Sequence, residues 1–299
     1  MIYFINYVLN EMNILITGFN GFIGANFLKL LDDKKFKIFL IGRNKPLLNF
    51  EKKFTYFIHD FSKNIFTKQK LNIDVLFHFI GNHRSTDKDA IYKGNLVPLS
   101  NVLNSKKLNF KKIVYLSSHK IYGNVNSINV DEDCEFVKTS DNYGLIKRKC
   151  EKLLKKFSSI NNNVSILTLR FCGFVEDKSF ISDTIDKLKK DQTIEIYNNG
   201  KIVRDYLFIK NSNFILNSSI NFNKKGFNIF NIGSGDILNN FEIITYLKRK
   251  LKSKSEIHTS KKLNKIGNFN FNITKAKREL GYKPVDFKIE LNNHLENFK

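Results

Sequence analysis

Two sets of residues in this chain have the types and spacing to do chemistry together. The first is Tyr143-Gly-Leu-Ile-Lys147, with Ser117-Ser118 upstream. Four-residue spacing on a helix puts the tyrosine and the lysine on one face. A tyrosine hydroxyl, with an ordinary pKa of about 10, is a poor base at neutral pH. A neighbouring ammonium favours the phenolate, so the pair can take a proton from a hydroxyl and return it. A serine nearby can hold the reacting oxygen. Taken alone, the pair reads more readily as one face of an amphipathic helix.

The second set supplies its context. An apolar run (Ile14, Leu15, Ile16) stops at Thr17, glycines follow at Gly18, Gly21 and Gly24, and a helical pattern begins. That is a buried strand, a tight turn and a helix start in one short segment. Glycine suits the turn's unusual dihedrals and lets the backbone come close to a bound pyrophosphate. The helix would then point its free N–H groups and dipole at the phosphate charge.

The elements that must position these residues alternate. Helical patterns cover about 22–31, 94–108 and 143–157; buried strands cover about 36–41, 54–58, 75–80, 113–116 and 165–170. Apolar strands alternating with helices predict an α/β fold, a Rossmann doubly wound parallel sheet with right-handed crossovers. Beyond about 175 the spacing becomes irregular, with a helix at 181–190 and short strands at 194–197, 205–209 and 227–232. A last helix is bounded by Asn272 and Thr274 at its start and by Gly281 after its end. The expected organisation is an N-terminal extension (1–11), a dinucleotide-binding domain (12–175) and a smaller C-terminal α/β substrate-binding lobe (176–299). A substrate cleft would lie between the last two.

Composition narrows the field. With 42% hydrophobic and 26% charged residues the chain matches soluble globular proteins. Cys134, Cys150 and Cys172 are scattered, with no CxxC spacing, which points to a reducing cytoplasmic setting, with no disulfide framework and no metal site. The net charge of +22 raises nucleic acid as a partner. The lysines are dispersed and no nucleic-acid motif accompanies them, so neither nucleic acid nor membrane is expected as a partner. Residues 1–11 are apolar but too short to span a bilayer, and they lack the basic start of a signal peptide.

The chain resembles the extended short-chain dehydrogenase/reductases, the NAD-dependent epimerase/dehydratase group acting on nucleotide sugars. The resemblance runs from Asn13 to about Phe298. It rests on TGFNGFIG, Asp60 after the third strand, Asn95 in YKGN, VYLSSHKIYG, YGLIK, LRFCGF, VRDYLFI, FNIGSG and KAKRELGYKP. It implies Ser118, Tyr143 and Lys147 as a catalytic triad, Ser118 lying four residues before Tyr122 of the IYG turn. It further implies that Lys147 holds the nicotinamide ribose, that Asp60 accepts from the adenine amino group, and that Asn95 orders the cofactor-side helix. Arg204 matches a position that pairs with the substrate's nucleotide diphosphate, as a bidentate guanidinium suits.

Departures from the family pattern refine the reaction. His119-Lys120 stands where family dehydratases place Asp-Glu, so elimination is disfavoured. Gly173 stands where many epimerases place an asparagine, which leans toward members that reduce a 4-keto sugar. His83-Arg84, after the fourth strand, reads equally as a substrate contact and as a solvated loop.

Cofactor choice turns on the end of the second strand. Ile41-Gly42-Arg43-Asn44 offers an arginine and no acid, which favours NADP over NAD. Arg43 stacked on adenine, with Asn44 on the ribose of NAD, is the open alternative. The expected function is NAD(P)-dependent oxidoreduction or epimerisation of a nucleotide-diphosphate sugar, at C4, with a homodimer left open. The rival from another class is a non-catalytic dinucleotide-binding regulator or RNA-binding protein on the same fold. The +22 charge argues for it; the intact Ser118, Tyr143 and Lys147 set argues against it.

Overall fold

The computed structural model describes residues 12–47, 54–63, 70–261 and 267–296. The expected extension 1–11 lies outside them. Seven strands form one sheet: β1 (Met12–Thr17), β2 (Phe36–Gly42), β3 (Phe54–Ile58), β4 (Val75–His78), β5 (Lys112–Ser118), β6 (Ser165–Phe171) and β7 (Gly226–Ile232). Their order is β7-β6-β5-β4-β1-β2-β3, and every pairing is parallel. The order reverses beside β1, so the crevice for a ligand opens at the carboxyl ends of β1 and β4.

A sheet covered on both faces needs apolar side chains at both parities of each strand. Ile14 and Ile16 of β1 pack with Phe27 and Leu28 of α1 (Phe22–Leu30), while Leu15 between them faces the opposite layer. There it meets residues of α2 (Lys88–Leu103) and α3 (Asn142–Ile160), among them Leu99, Val102, Ile146 and Leu154. The two cores are thus built by strict alternation.

A third apolar cluster is the heart of the smaller lobe. It joins Ile181, Ile185 and Leu188 of α4 (Phe180–Lys189) to Phe208, and to Ile243, Ile244 and Leu247 of a helix at Asn240–Leu251. Between the lobes' helices runs α5 (Ile209–Ser219), which packs on α1.

Several boundaries differ from expectation for local reasons. The helix expected at 94–108 begins at Lys88, because Asp87 accepts hydrogen bonds from the N–H groups of Asp89 and Ala90. It ends at Leu103, and Leu108 instead joins a short strand paired with Leu71–Ile73. Of the strand expected at 205–209, only Tyr206–Leu207 forms, paired with Gly173–Phe174, and α5 starts at Ile209. β7 arises inside 176–299, so the chain leaves the sheet, builds part of the small lobe and returns to close the sheet's edge. Among the described residues no helix is long and apolar enough to cross a membrane.

Candidate active site

A cleft of about 860 Å³ opens at the carboxyl ends of the strands. Its lining includes Gly18, Gly21 and Gly24, Ser118, Tyr143 and Lys147, and Arg204. A smaller hollow of about 480 Å³ beside Lys277 and Tyr282 shares none of these residues.

The glycine turn is built as a backbone cradle. Gly18 has φ +73°, and a Cβ there would stand 2.7 Å from the backbone of Phe79 and Ile80, in the loop after β4. At Gly24 a Cβ would stand 2.8 Å from Phe19 Cα, so a bare helix is needed for α1 to lie close to the turn. No side chain caps α1, whose first N–H groups face the cleft lining. Uncapped N–H groups at a helix start fit a dinucleotide pyrophosphate.

Tyr143 enters the cleft because Asp141 caps α3. The Asp141 carboxylate accepts from Tyr143 N at 3.0 Å and Gly144 N at 3.3 Å, fixing the first turn. One turn on, Lys147 is 3% exposed. Its Nζ donates to Leu116 O at 2.6 Å and to Tyr115 Oη at 3.0 Å, and lies 5.6 Å from the centre of the Tyr143 ring. Of the ammonium's three donors, two are held by β5 and one remains for the cleft.

Burial sets the protonation of this pair. Desolvation pushes Lys147 down to about 8, against pull-back from Cys150 and Glu151. Desolvation also pushes the Tyr143 hydroxyl well up, with Cys150 and Asp141 adding to it. The expected lowering of the Tyr143 pKa by the ammonium is therefore absent in the free protein. Tyr143 is held in its neutral, hydroxyl form.

Ser118 closes β5, and its Oγ accepts from Lys120 N at 3.3 Å, leaving the O–H for another acceptor. Arg204 donates Nη1–H to Gly267 O at 3.2 Å and approaches His119 Nε2 with Nη2 at 3.5 Å. No carboxylate pairs with it in the ion pairs of the described residues. Burial, with Arg204 beside it, holds the His119 pKa well below the usual imidazole range. His119 is thus a neutral neighbour of Arg204.

Three expected cofactor residues stand outside the lining. Arg43 and Asp60 are exposed at the tips of β2 and β3. Both Asp60 oxygens accept from Ser62, whose backbone N–H is the largest influence holding this carboxyl below its usual range; Arg43 adds to it. Asn95 is buried in α2. Its amide donates to Ile91 O at 2.8 Å and Asn82 O at 3.0 Å, so it clamps the loop after β4 to the helix.

Several partners at the site were not legible beforehand. His83 and Arg84 both pair with Asp177, the imidazole at 3.3 Å, joining the loop after β4 to the segment after β6 across the cleft. The His83 ring lies 6.1 Å from the Tyr143 ring. Below the site, Glu151 takes Ser117 Oγ at 2.5 Å and the Arg170 guanidinium at 2.8 Å. Position gave one hint: Glu151 stands four residues after Lys147, on the same face of α3. Among the described residues no cluster of His, Cys, Asp and Glu is suited to a metal.

Comparison with known proteins adds three kinds of match. The model of the NAD dependent epimerase/dehydratase family matches residues 14–233. A UDP-glucose 4-epimerase of Yersinia enterocolitica is 30% identical over 75% of this chain and 78% of its own length. A dTDP-6-deoxy-L-talose 4-dehydrogenase (NAD(+)) of Aggregatibacter actinomycetemcomitans is 26% identical over 75% of this chain and 85% of its own. Among solved structures, a UDP-glucuronic acid 4-epimerase from Bacillus cereus, in complex with UDP-glucuronic acid and NAD, superposes with a TM-score of 0.74. It is 20% identical, covering 92% of this chain and 94% of that one, a likeness of fold.

Proposed function

We propose that this chain, which belongs to the NAD dependent epimerase/dehydratase family, acts on a nucleotide-diphosphate sugar by oxidoreduction at the sugar's C4. Tyr143 is its general acid/base. The observation that carries the reading is convergence: a pyrophosphate cradle, a proton-transfer tyrosine with its lysine, and an arginine free of carboxylates share one cleft. Two relatives of different chemistry are both named for C4, which supports that position.

The nicotinamide cofactor, when bound, supplies or accepts the hydride. The chain's residues do the rest. The α1 N-terminus holds the cofactor's pyrophosphate, and the remaining N–H of Lys147 goes to the cofactor's ribose. Ser118 donates its hydroxyl to the sugar oxygen, and Tyr143 moves a proton at that same oxygen. Arg204 takes the nucleotide diphosphate, two of whose phosphate oxygens can accept from its paired donors. Two reactions use this set: 4-epimerisation, in which Tyr143 must first act as a base, and 4-keto reduction, in which it starts as an acid. On the exposed tip of β2, Arg43 with no acid beside it in sequence supports NADP as the cofactor.

The test is incubation of the purified chain with UDP-glucose, UDP-galactose, their acetamido counterparts and a 4-keto nucleotide sugar, with each cofactor, and chromatography of the products. Tyr143→Phe should lower turnover by on the order of 10²–10⁴ while keeping cofactor affinity. Product formation that Tyr143→Phe leaves unchanged would sink the general acid/base reading. No conversion of any panel member would sink the C4 reading.

A further inference from the structure

We propose that Tyr115 is the positioning residue that holds the Lys147 ammonium at the cleft wall. This rests on the reading of Lys147 given above. The Tyr115 side chain is 1% exposed and turns from β5 into the layer covered by α2 and α3. Its hydroxyl accepts from Lys147 Nζ at 3.0 Å, and Leu116 O accepts at 2.6 Å. Two successive positions of one strand thus fix two of the three ammonium donors. The carbonyl at 116 is present whatever the side chain; the hydroxyl at 115 is a choice of residue.

Packing alone does not ask for that choice. A phenylalanine ring would fill the same apolar space, and a buried hydroxyl costs free energy unless it has partners. This hydroxyl has one: its oxygen accepts from the Lys147 ammonium at 3.0 Å.

The other groups facing the ammonium do not duplicate this role. From β4, His78 is kept neutral, since burial, with Lys147 nearby, pushes it down to about 3. Its Nδ1 is taken by Thr17 Oγ1 at 3.0 Å. From α3, Tyr143 stays protonated, and the Glu151 charge is shared with Arg170 and Ser117. Cys150 is buried, and that burial pushes its thiol up. Tyr115 itself stays neutral because burial pushes its hydroxyl well up. What it offers Lys147 is a fixed neutral acceptor, which favours the charged amine.

The experiment follows Lys147 directly, by NMR of the full chain grown with carbon-13 lysine, its signal identified by its loss in Lys147→Met. Tyr115→Phe should lower the titration midpoint of Lys147 by about one pH unit. NADH and NADPH affinity, read by fluorescence, should fall more at pH 8.5 than at pH 6.5. A purely packing role would leave the midpoint in place, and an unmoved midpoint in folded Tyr115→Phe overturns the proposal. If that variant fails to fold, Tyr115→Leu, which also lacks the hydroxyl, carries the same test: a lowered midpoint supports the proposal and an unmoved one overturns it. A wild type without nucleotide-sugar turnover would remove the functional reading yet leave this midpoint comparison standing, so the two failures are told apart.

Discussion

Glu151 grips Arg170 with both oxygens, Oε2 to Nη2 at 2.8 Å and Oε1 to Nε at 3.1 Å, and both side chains are closed to water. The pair bolts α3 to β6 one helical turn below Lys147. Arg170 also donates to Tyr122 Oη at 2.6 Å, and Tyr122 donates to Asn231 Oδ1 at 2.8 Å, carrying the network to β7. Breaking a buried pair from one side leaves an uncompensated charge, so Glu151→Ala should lose about 3–5 kcal/mol of stability. Adding Arg170→Met to it should restore part of that loss. Urea unfolding of the three variants reads both effects; a loss under about 1 kcal/mol would place the pair among solvent-exposed ones.

The pH dependence follows from Lys147. Its ammonium is present below about pH 8 in the folded chain, whereas an unfolded lysine keeps its proton up to about 10.5. Cofactor affinity should therefore decline as pH rises through 8. Stability moves the other way: between 8 and 10.5 the unfolded chain binds more protons, so this group makes folding more favourable as pH rises. Lys112, likewise pushed down to about 8 by burial, adds in the same direction. Fluorescence titration and thermal unfolding at matched pH values check the pair of trends, and affinity that stays level to pH 10 would contradict the first.

Arg43 should give NADPH the tighter binding. It is exposed at the tip of β2, and the Asp60 carboxylate lies near enough to feel its charge. A charge-assisted contact with a ribose phosphate is worth roughly 1.5–3 kcal/mol, about ten- to a hundredfold in affinity. Arg43→Ala should close most of the gap in paired titrations at fixed ionic strength. Equal affinities in the wild type, or NAD retained through purification, would select the NAD-bound epimerase instead.

Gly18→Val should cost both stability and cofactor affinity, for a reason in the protein rather than the ligand. The added Cβ meets the backbone of Phe79 and Ile80, and the φ of +73° is one a β-branched residue resists. Gly21→Ala, whose Cβ would stand 3.2 Å from Gly18 O, should be milder. Melting temperature and dinucleotide titration rank the two, and the reverse ranking would count against this account.

The sheet was legible because strands buried on both faces must be apolar throughout, as Ile14-Leu15-Ile16 and Val75-Leu76-Phe77 are. Tyr143 and Lys147 were legible because helix geometry alone places them together. The start of α2 was not, since Asp87, Lys88 and Asp89 carry a cap and no apolar period. Nor were the partners of Arg170, His83 and Arg84, because Glu151 and Asp177 meet them only through the order of strands. The sign of the Tyr143 shift was misread for a similar reason: sequence shows the lysine beside it but not the depth at which both are buried.

The return of β7 to the sheet bears on how the chain is made. Parallel pairing forces every neighbour in the sheet to wait for a crossover, and the last strand is synthesised only at Gly226–Ile232. Even then one core layer is incomplete, for Phe269, Phe271 and Tyr282 pack into it from still farther along. A nascent chain that has emerged only to residue 175 holds the glycine turn and the tyrosine–lysine pair but leaves the edge of β6 bare. Such an edge invites pairing with other chains.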